Sequence, residues 1–221
     1  MIPGVDLSHY QGDIQWPVLQ QAGVKFAFLK ATQGTNPDPS FSGHWNYLNE
    51  NNFGILKSAY HFYDTSMDPV AQANAFSFVV GALKSNDLPP VVDIEKDATN
   101  GSQSLQQRIQ GLQTFITTIQ KKFCKKPIIY TDMAFFKDYF QNAPVFSGYP
   151  LFLAEYPTEK QLQITDPVPT FTPRMGCGWS KYTFLQYSEN GLIPGSNNAG
   201  NIFDLDVFNG SMSDLQALCS S

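Results

Sequence analysis

The chain has 221 residues, of which 42% are hydrophobic, 14% aromatic and only 15% charged. That composition excludes an intrinsically disordered chain, because ample apolar surface is present to offset the entropy of ordering. Lys plus Arg number 14 against 19 Asp plus Glu, leaving a net charge of −5. An acidic chain without a basic run does not suit nucleic acid, whose phosphates would repel it. No apolar stretch reaches the roughly 18 residues a membrane-spanning helix requires, so no membrane insertion is expected. The opening Met1-Ile2-Pro3-Gly4-Val5-Asp6 lacks the charged and long apolar regions of a secretory signal, so no export route is visible in this chain. Cys124, Cys177 and Cys219 are too few and too scattered for a disulfide framework. At most one pair could form, and buried free thiols are expected.

Short apolar runs alternate with longer amphipathic ones, the pattern of βα units. The first strand spans Ile2–Asp6 and a helix follows around Gln15–Ala22. Strands at Val24–Lys30 and Ile55–Phe62 flank a helix at Phe41–Asn52. A third helix, Pro69–Lys84, opens with Asp68-Pro69, an N-cap followed by a proline whose missing N–H costs nothing at the first helical position. Then come a strand at Pro89–Glu95 and the clearest helix, Leu105–Phe123. Its Leu105, Ile109, Leu112, Ile116, Ile119 and Phe123 step by fours and threes and draw one apolar stripe. A strand at Pro127–Thr131, a helix at Ala134–Phe140 and a strand at Leu151–Tyr156 complete this alternation. From 157 to 182 the rhythm stops at Pro157, Pro167, Pro169 and Pro173, with no helical period. Strands at Thr183–Tyr187 and Ile202–Phe208 therefore follow without helical crossovers. Eight strands, five with helices and three without, predict an α/β fold: an irregular TIM-like barrel rather than a regular (β/α)₈. No repeat, low-complexity tract or linker divides the chain, so a single domain over 1–221 is expected.

In such barrels chemistry sits where the βα loops open, at the C-terminal ends of the strands. Strand one ends in Asp6, strand four in Asp93-Ile94-Glu95, and the last strand contains Asp204 and Asp206. Carboxylates embedded in apolar strands are costly unless paired or used. Asp93 and Glu95, two apart on a strand, point to one face with Cα atoms ~6.5–7 Å apart. Their repulsion raises one pKa and yields the proton donor and ionised partner that glycoside hydrolysis uses. Tyr10, Tyr60, Phe62, Tyr63, Tyr130, Tyr156 and Tyr187 crowd the same strand ends, where an aromatic face and a hydroxyl suit a sugar. His9, His44 and His61 lack metal-ligand spacing, Asp204 and Asp206 alone make a poor cation cage, and no nucleotide-binding loop occurs. No metal and no cofactor is expected.

Seven segments resemble the glycoside hydrolase family 25 lysozymes, the Chalaropsis-type muramidases, and fall in that family's order. They are Gly4-Val5-Asp6-Leu7-Ser8-His9-Tyr10-Gln11-Gly12, Phe28-Leu29-Lys30-Ala31-Thr32-Gln33-Gly34, Ala59-Tyr60-His61-Phe62, Pro90-Val91-Val92-Asp93-Ile94-Glu95, Ile129-Tyr130-Thr131, Gln186-Tyr187-Ser188 and Phe203-Asp204-Leu205-Asp206-Val207-Phe208. The resemblance implies a flattened barrel of five α/β units and three further strands. It also implies hydrolysis of the β-1,4 bond between N-acetylmuramic acid and N-acetylglucosamine. Glu95 would be the general acid and then the base that activates water, and Asp93 would orient the substrate's acetamido group. Asp6 and Asp204 would complete the acidic cluster. Tyr60, Phe62, Tyr130, Tyr156 and Gln186 would contact substrate.

Thirteen residues follow Phe208, so no separate wall-binding module is expected. The partner implied is the glycan strand of peptidoglycan, met by a monomer at the cell wall, outside the cell or in the periplasm. A chitinase-like hydrolase is the competing enzyme, but Leu88, Pro90 and Val91 stand where its fuller acidic pattern would lie; a non-catalytic saccharide-binding barrel is the competing binder. The Asp93–Glu95 strand spacing read alone suggests inversion, but both project from one strand. The opposite face of the sugar is left to Asp6, Asp204 or the substrate's own acetamido group, of which Asp93 is well placed to hold the last. The expected stereochemistry is therefore net retention through the substrate's own acetamido group. Asn100-Gly101-Ser102 and Asn209-Gly210-Ser211 form glycosylation sequons, relevant only in a secreting eukaryote.

Overall fold

The computed structural model describes residues 1–96, 103–196 and 202–220; the sequon at Asn100 lies outside them. Eight strands close into one barrel: β1 (Ile2–Leu7), β2 (Phe26–Gln33), β4 (Leu56–Phe62), β5 (Val91–Asp93), β6 (Ile128–Asp132), β7 (Leu151–Ala154), β8 (Phe184–Gly191) and β9 (Phe203–Phe208). The pairing of β1 with both β2 and β9 seals it. Helices α1 (Trp16–Gln21), α2 (Phe41–Glu50), α3 (Pro69–Val80), α4 (Leu105–Phe123) and α5 (Met133–Tyr139) follow the first five barrel strands. No helix among the described residues separates β7, β8 and β9. Among the described residues, no helix is long and apolar enough to cross a membrane.

The helices follow from local chemistry. Helix α4 starts at a capping box in which Ser104 and Gln107 satisfy each other's backbone N–H groups. Helix α3 takes its cap from Asp68, whose carboxylate accepts the Ala71 N–H at 2.7 Å. It ends at Val80 rather than Lys84, because Gly81 adopts a φ of 70°, which breaks the helix where only glycine is unstrained. Strand β5 is also shorter than expected. Pro89 and Pro90 have no N–H for a ladder, and pairing ceases at Asp93. Three features were not anticipated: the two-residue strand β3 (Asn36–Pro37) folded against β2, the extension of β8 to Gly191, and a closing helix α6 (Met212–Leu218). The last is capped by Ser211 and Asp214.

Alternation along each strand divides the apolar residues in two. One set packs between barrel and helices: Val5, Leu7, Leu29, Val92, Ile129 and Leu185 from the strands, Phe76, Phe115 and Ile116 from the helices. The other plugs the barrel, where Phe26, Phe28, Phe152 and Phe184 interlock at ring-centroid distances of 5.1–5.8 Å. Each buried phenyl contributes about 1.5–3 kcal/mol of transfer free energy. The plug needs Gly4, since a Cβ there would stand 2.3 Å from the Phe26 ring. With the lumen filled, the barrel has a mouth and no pore. All three cysteines are free thiols, Cys177 and Cys219 buried and Cys124 exposed.

Candidate active site

Above the phenyl plug, the next inward-facing layer is polar. Asp6 from β1, Lys30 from β2, Tyr60 and Phe62 from β4, Asp93 from β5, Tyr130 from β6, Gln186 from β8 and Asp204 from β9 line one cleft of about 380 Å³. Phe28 and Phe152 form its floor, while Glu95, Tyr156, Ser8, Tyr10, Gln11, Gln33 and Glu189 stand around it. Strand β9 runs antiparallel to both neighbours. It is therefore the beginning of β9, not its end, that reaches the mouth, and this sets Asp204 directly across from Asp6 in register.

The structure thus gathers all nine sequence-singled residues: Asp6, Tyr60, Phe62, Asp93, Glu95, Tyr130, Tyr156, Gln186 and Asp204. Two details differ from expectation. Glu95 lies past the end of β5, not on it. Even so, the Ile94 N–H still bonds the Tyr130 carbonyl at 3.0 Å, keeping the chain aligned so that both acids face the cleft. Tyr63 and Tyr187 point the other way and are buried in the outer core, as their parity relative to Phe62 and Gln186 requires. Lys30, Ser8, Gln33 and Glu189 were not anticipated. For Lys30 the signal was present, since it shares inward parity with Phe26 and Phe28. Glu189 follows a break in β8 register between Gln186 and Ser188, which no alternation rule locates.

Gln186 organises the acids. Its side-chain oxygen accepts from the Tyr130 hydroxyl at 2.8 Å and from the Tyr156 hydroxyl at 2.6 Å. With its oxygen so engaged, its nitrogen donates to the Asp6 carboxylate at 2.6 Å. Burial pushes Asp6 up to about 6, a rise restrained by Gln186, Asp204 and Lys30. Asp204 goes higher, to about 10, through burial, repulsion from Asp6 and the hydrogen bond it shares with Asp6. Two like charges cannot both ionise cheaply in one dry place. Asp204 therefore keeps its proton and donates it to an ionised Asp6.

Asp93 is raised well above the ordinary carboxylate range, first by burial and then by Glu95, with Lys30 opposing. The Asp93–Glu95 pair accordingly holds a proton to higher pH than an isolated solvent-exposed carboxylate. One Asp93 oxygen, Oδ1, is buried and has no hydrogen-bond partner. Among the described residues, Lys30 is the one basic side chain lining the cleft. Its Nζ donates to Gln33 Oε1 at 2.9 Å and lies 4.7 Å from the Phe62 ring centroid. His61 lies outside this chemistry. It is buried beneath Phe115, bonded to Thr32 and Gln72, and burial lowers it to about 3, which leaves it neutral.

A deeper carboxylate, Asp206, is completely buried with both oxygens unpartnered. Burial, then Asp6 and Asp204, push it well above the usual range. No group of three or more His, Cys, Asp or Glu among the described residues could hold a metal ion.

Comparison with known proteins agrees with this architecture. YegX of Escherichia coli K12 is 31% identical over 98% of this chain and 72% of its own length. Lysozyme M1 of Streptomyces globisporus is 30% identical over the whole of this chain and 72% of its own length. The crystal structure of a bacterial lysozyme from Streptomyces coelicolor superposes with a TM-score of 0.83 at 30% identity, covering 99% of this chain and 97% of that one. The family model for glycosyl hydrolases family 25 matches residues 5–196, a span that includes Asp6, Asp93, Glu95 and Gln186. This chain belongs to glycosyl hydrolases family 25.

Proposed function

We propose that this protein is a muramidase, cleaving the β-1,4 bond between N-acetylmuramic acid and N-acetylglucosamine in peptidoglycan. The single observation that carries the reading is the pairing of Asp93 with Glu95 in the cleft, a buried carboxyl whose Oδ1 lacks a partner beside a second, less buried one. Glu95 donates its proton to the departing glycosidic oxygen. The substrate's acetamido oxygen attacks the anomeric carbon from the opposite face, and Asp93 holds the acetamido N–H as positive charge develops. Water then opens the cyclic intermediate while Glu95 recovers a proton from it, and the sugar leaves with its original configuration. The Asp6–Asp204 pair, steadied by Gln186, keeps one negative charge at the edge of the cleft. Tyr60, Phe62, Tyr130 and Tyr156 offer aromatic faces to the sugar rings.

In this reading the chain acts as a single catalytic domain and as a monomer, at the cell wall, outside the cell or in the periplasm. Mass analysis of fragments released from purified peptidoglycan tests it. The new reducing end is expected on N-acetylmuramic acid, and a reducing end on N-acetylglucosamine would overturn the assignment. Proton NMR of the first-formed product is expected to show the β-anomer; an initial α-anomer would exclude the acetamido route.

A further inference from the structure

A second concavity lies on the outer wall of the barrel, where the β1–α1 loop meets helix α2. It encloses about 900 Å³, within the range of about 300–1,000 Å³ that small-ligand sites occupy. Pro17 contributes apolar surface from the start of α1 beside the buried Trp16, and His44 and Tyr47 stand on α2, with one Tyr47 face stacked on Phe53. Tyr47 is 43% exposed. Trp16 is buried, and its Nε1 donor has no acceptor. The exposed Tyr47 ring, apolar Pro17 and polar edges give this concavity the amphipathic character of a pyranose site.

The groove also connects to the cleft. A smaller trough of about 280 Å³ runs between them, sharing Lys30 and Gln33 with the cleft and His9 with the groove. The partition is held in place: His9 Nδ1 lies 2.7 Å from the Asp38 carboxylate, and His44 Nε2 lies 3.2 Å from the Gly12 carbonyl. A polymer engaged at Glu95 has to leave the cleft somewhere, and the trough and the groove adjoin the cleft through these shared lining residues.

We propose that the Trp16–His44–Tyr47 groove is a second carbohydrate-binding surface, holding sugars of the same glycan strand whose scissile bond sits in the cleft. This inference rests on the muramidase reading and adds to it a preference for long strands over short ones. Sugars, not stem peptides, are the assigned occupant, because the groove offers an exposed aromatic ring beside apolar and polar groups and adjoins the glycan cleft.

Gly43 supplies a clean way to test it. It lines the groove within α2, and nothing lies within 4 Å of where its Cβ would stand. Gly43→Gln therefore fills the groove while improving helix propensity. Tyr47→Ala removes the exposed ring instead, and thermal melting confirms that each variant is folded. Binding to peptide-free glycan strands is measured in a Glu95→Gln background, and turnover of long strands and of a soluble tetrasaccharide in the otherwise native enzyme. Both variants are expected to lose roughly three- to tenfold in affinity for strands, the size of one aromatic contact. They should raise KM on strands by the same factor and leave tetrasaccharide turnover unchanged. Unaltered strand binding, or equal losses on long and short substrates, would overturn the groove assignment. A loss seen only on strands that retain their peptides would make the occupant a stem peptide and overturn it as well. Failure of the native enzyme to cleave any glycan would instead defeat the muramidase reading, with the binding measurement still deciding the groove.

Discussion

At the floor of the barrel, Lys57 forms a buried ion pair with Asp87, lies over the Trp45 ring, and leaves the second Asp87 oxygen to accept the Lys84 N–H at 2.7 Å. Lys125 nearby donates to the Cys219 carbonyl. At the mouth the arrangement is the reverse: Asp6, Asp93 and Asp204 are gathered together with Asp206 beneath them, and the oxygens of Asp206 and one of Asp93 go unpartnered. Both ends bury charge, but the floor matches opposite signs and the mouth concentrates one. The floor is arranged for stability, the mouth for keeping protons where an isolated carboxylate would lose them. Strain of this kind is tolerated where the surrounding structure fixes it, and in this fold the phenyl plug and the closed ladder do so.

The sharpest way to break the comparison is at Glu95. Glu95→Gln keeps the shape and removes the transferable proton, so turnover should fall roughly 10²–10⁴-fold with no loss of thermal stability. A folded variant with native turnover would remove Glu95 from the chemistry. The opposite signature is expected at the floor. Asp87→Ala strands the Lys57 ammonium in the interior, which should cost about 3–5 kcal/mol in urea unfolding while turnover per folded molecule stays unchanged. A cost below about 1 kcal/mol would mean that the pair is not matched in the way its burial implies.

The smallest effect, and the most informative in sign, is at Asp6. Its folded pKa of about 6 lies above the ordinary 3.8, so the native state holds that proton more tightly than the unfolded chain does. Stability from this group is present below about pH 4 and is lost as pH rises through 6. Asp6→Asn escapes the loss. It should be more stable than the native protein by roughly 1–3 kcal/mol at pH 7 and no more stable at pH 4, with turnover reduced less than in Glu95→Gln. Asp204→Asn should instead go on gaining relative to the native protein from about pH 4 to about pH 9, because native Asp204 keeps its proton up to about 10 while the unfolded chain releases it near the ordinary 3.8. Melting curves across that range decide between the two; parallel curves for native protein and Asp6→Asn would refute the burial argument.

Much of this was legible in the residues themselves. Leu105–Phe123 emerged with its observed ends because its six-position apolar stripe begins at Leu105 and finishes at Phe123. Asp93 and Glu95 stood out because acids after Val91-Val92 contradict their surroundings. What stayed hidden depends on partners distant in sequence. Nothing near Gln186 announces that two tyrosines fix its oxygen and so aim its nitrogen at Asp6. The direction of β9, which decides that Asp204 and not Phe208 reaches the mouth, is set by its pairing with β1 and β8. Helix α6 was overlooked although Ser211 and Asp214 carry the spacing of a helix start.

The reversed last strand has a further consequence, for the order in which the molecule becomes able to act. Asp6 lies on the first strand and Asp204 on the last, and they meet only through the β1–β9 ladder. Such a contact spans nearly the whole chain and carries the loop-closure cost of its length. The pair that holds one charge at the mouth therefore exists only after the barrel has closed. A chain arrested short of β9 can form its earlier helices and their strands, but it lacks both Asp204 and the edge that seals Asp6 from water. In this fold the acidic pair at the mouth is completed by the same ladder that closes the barrel.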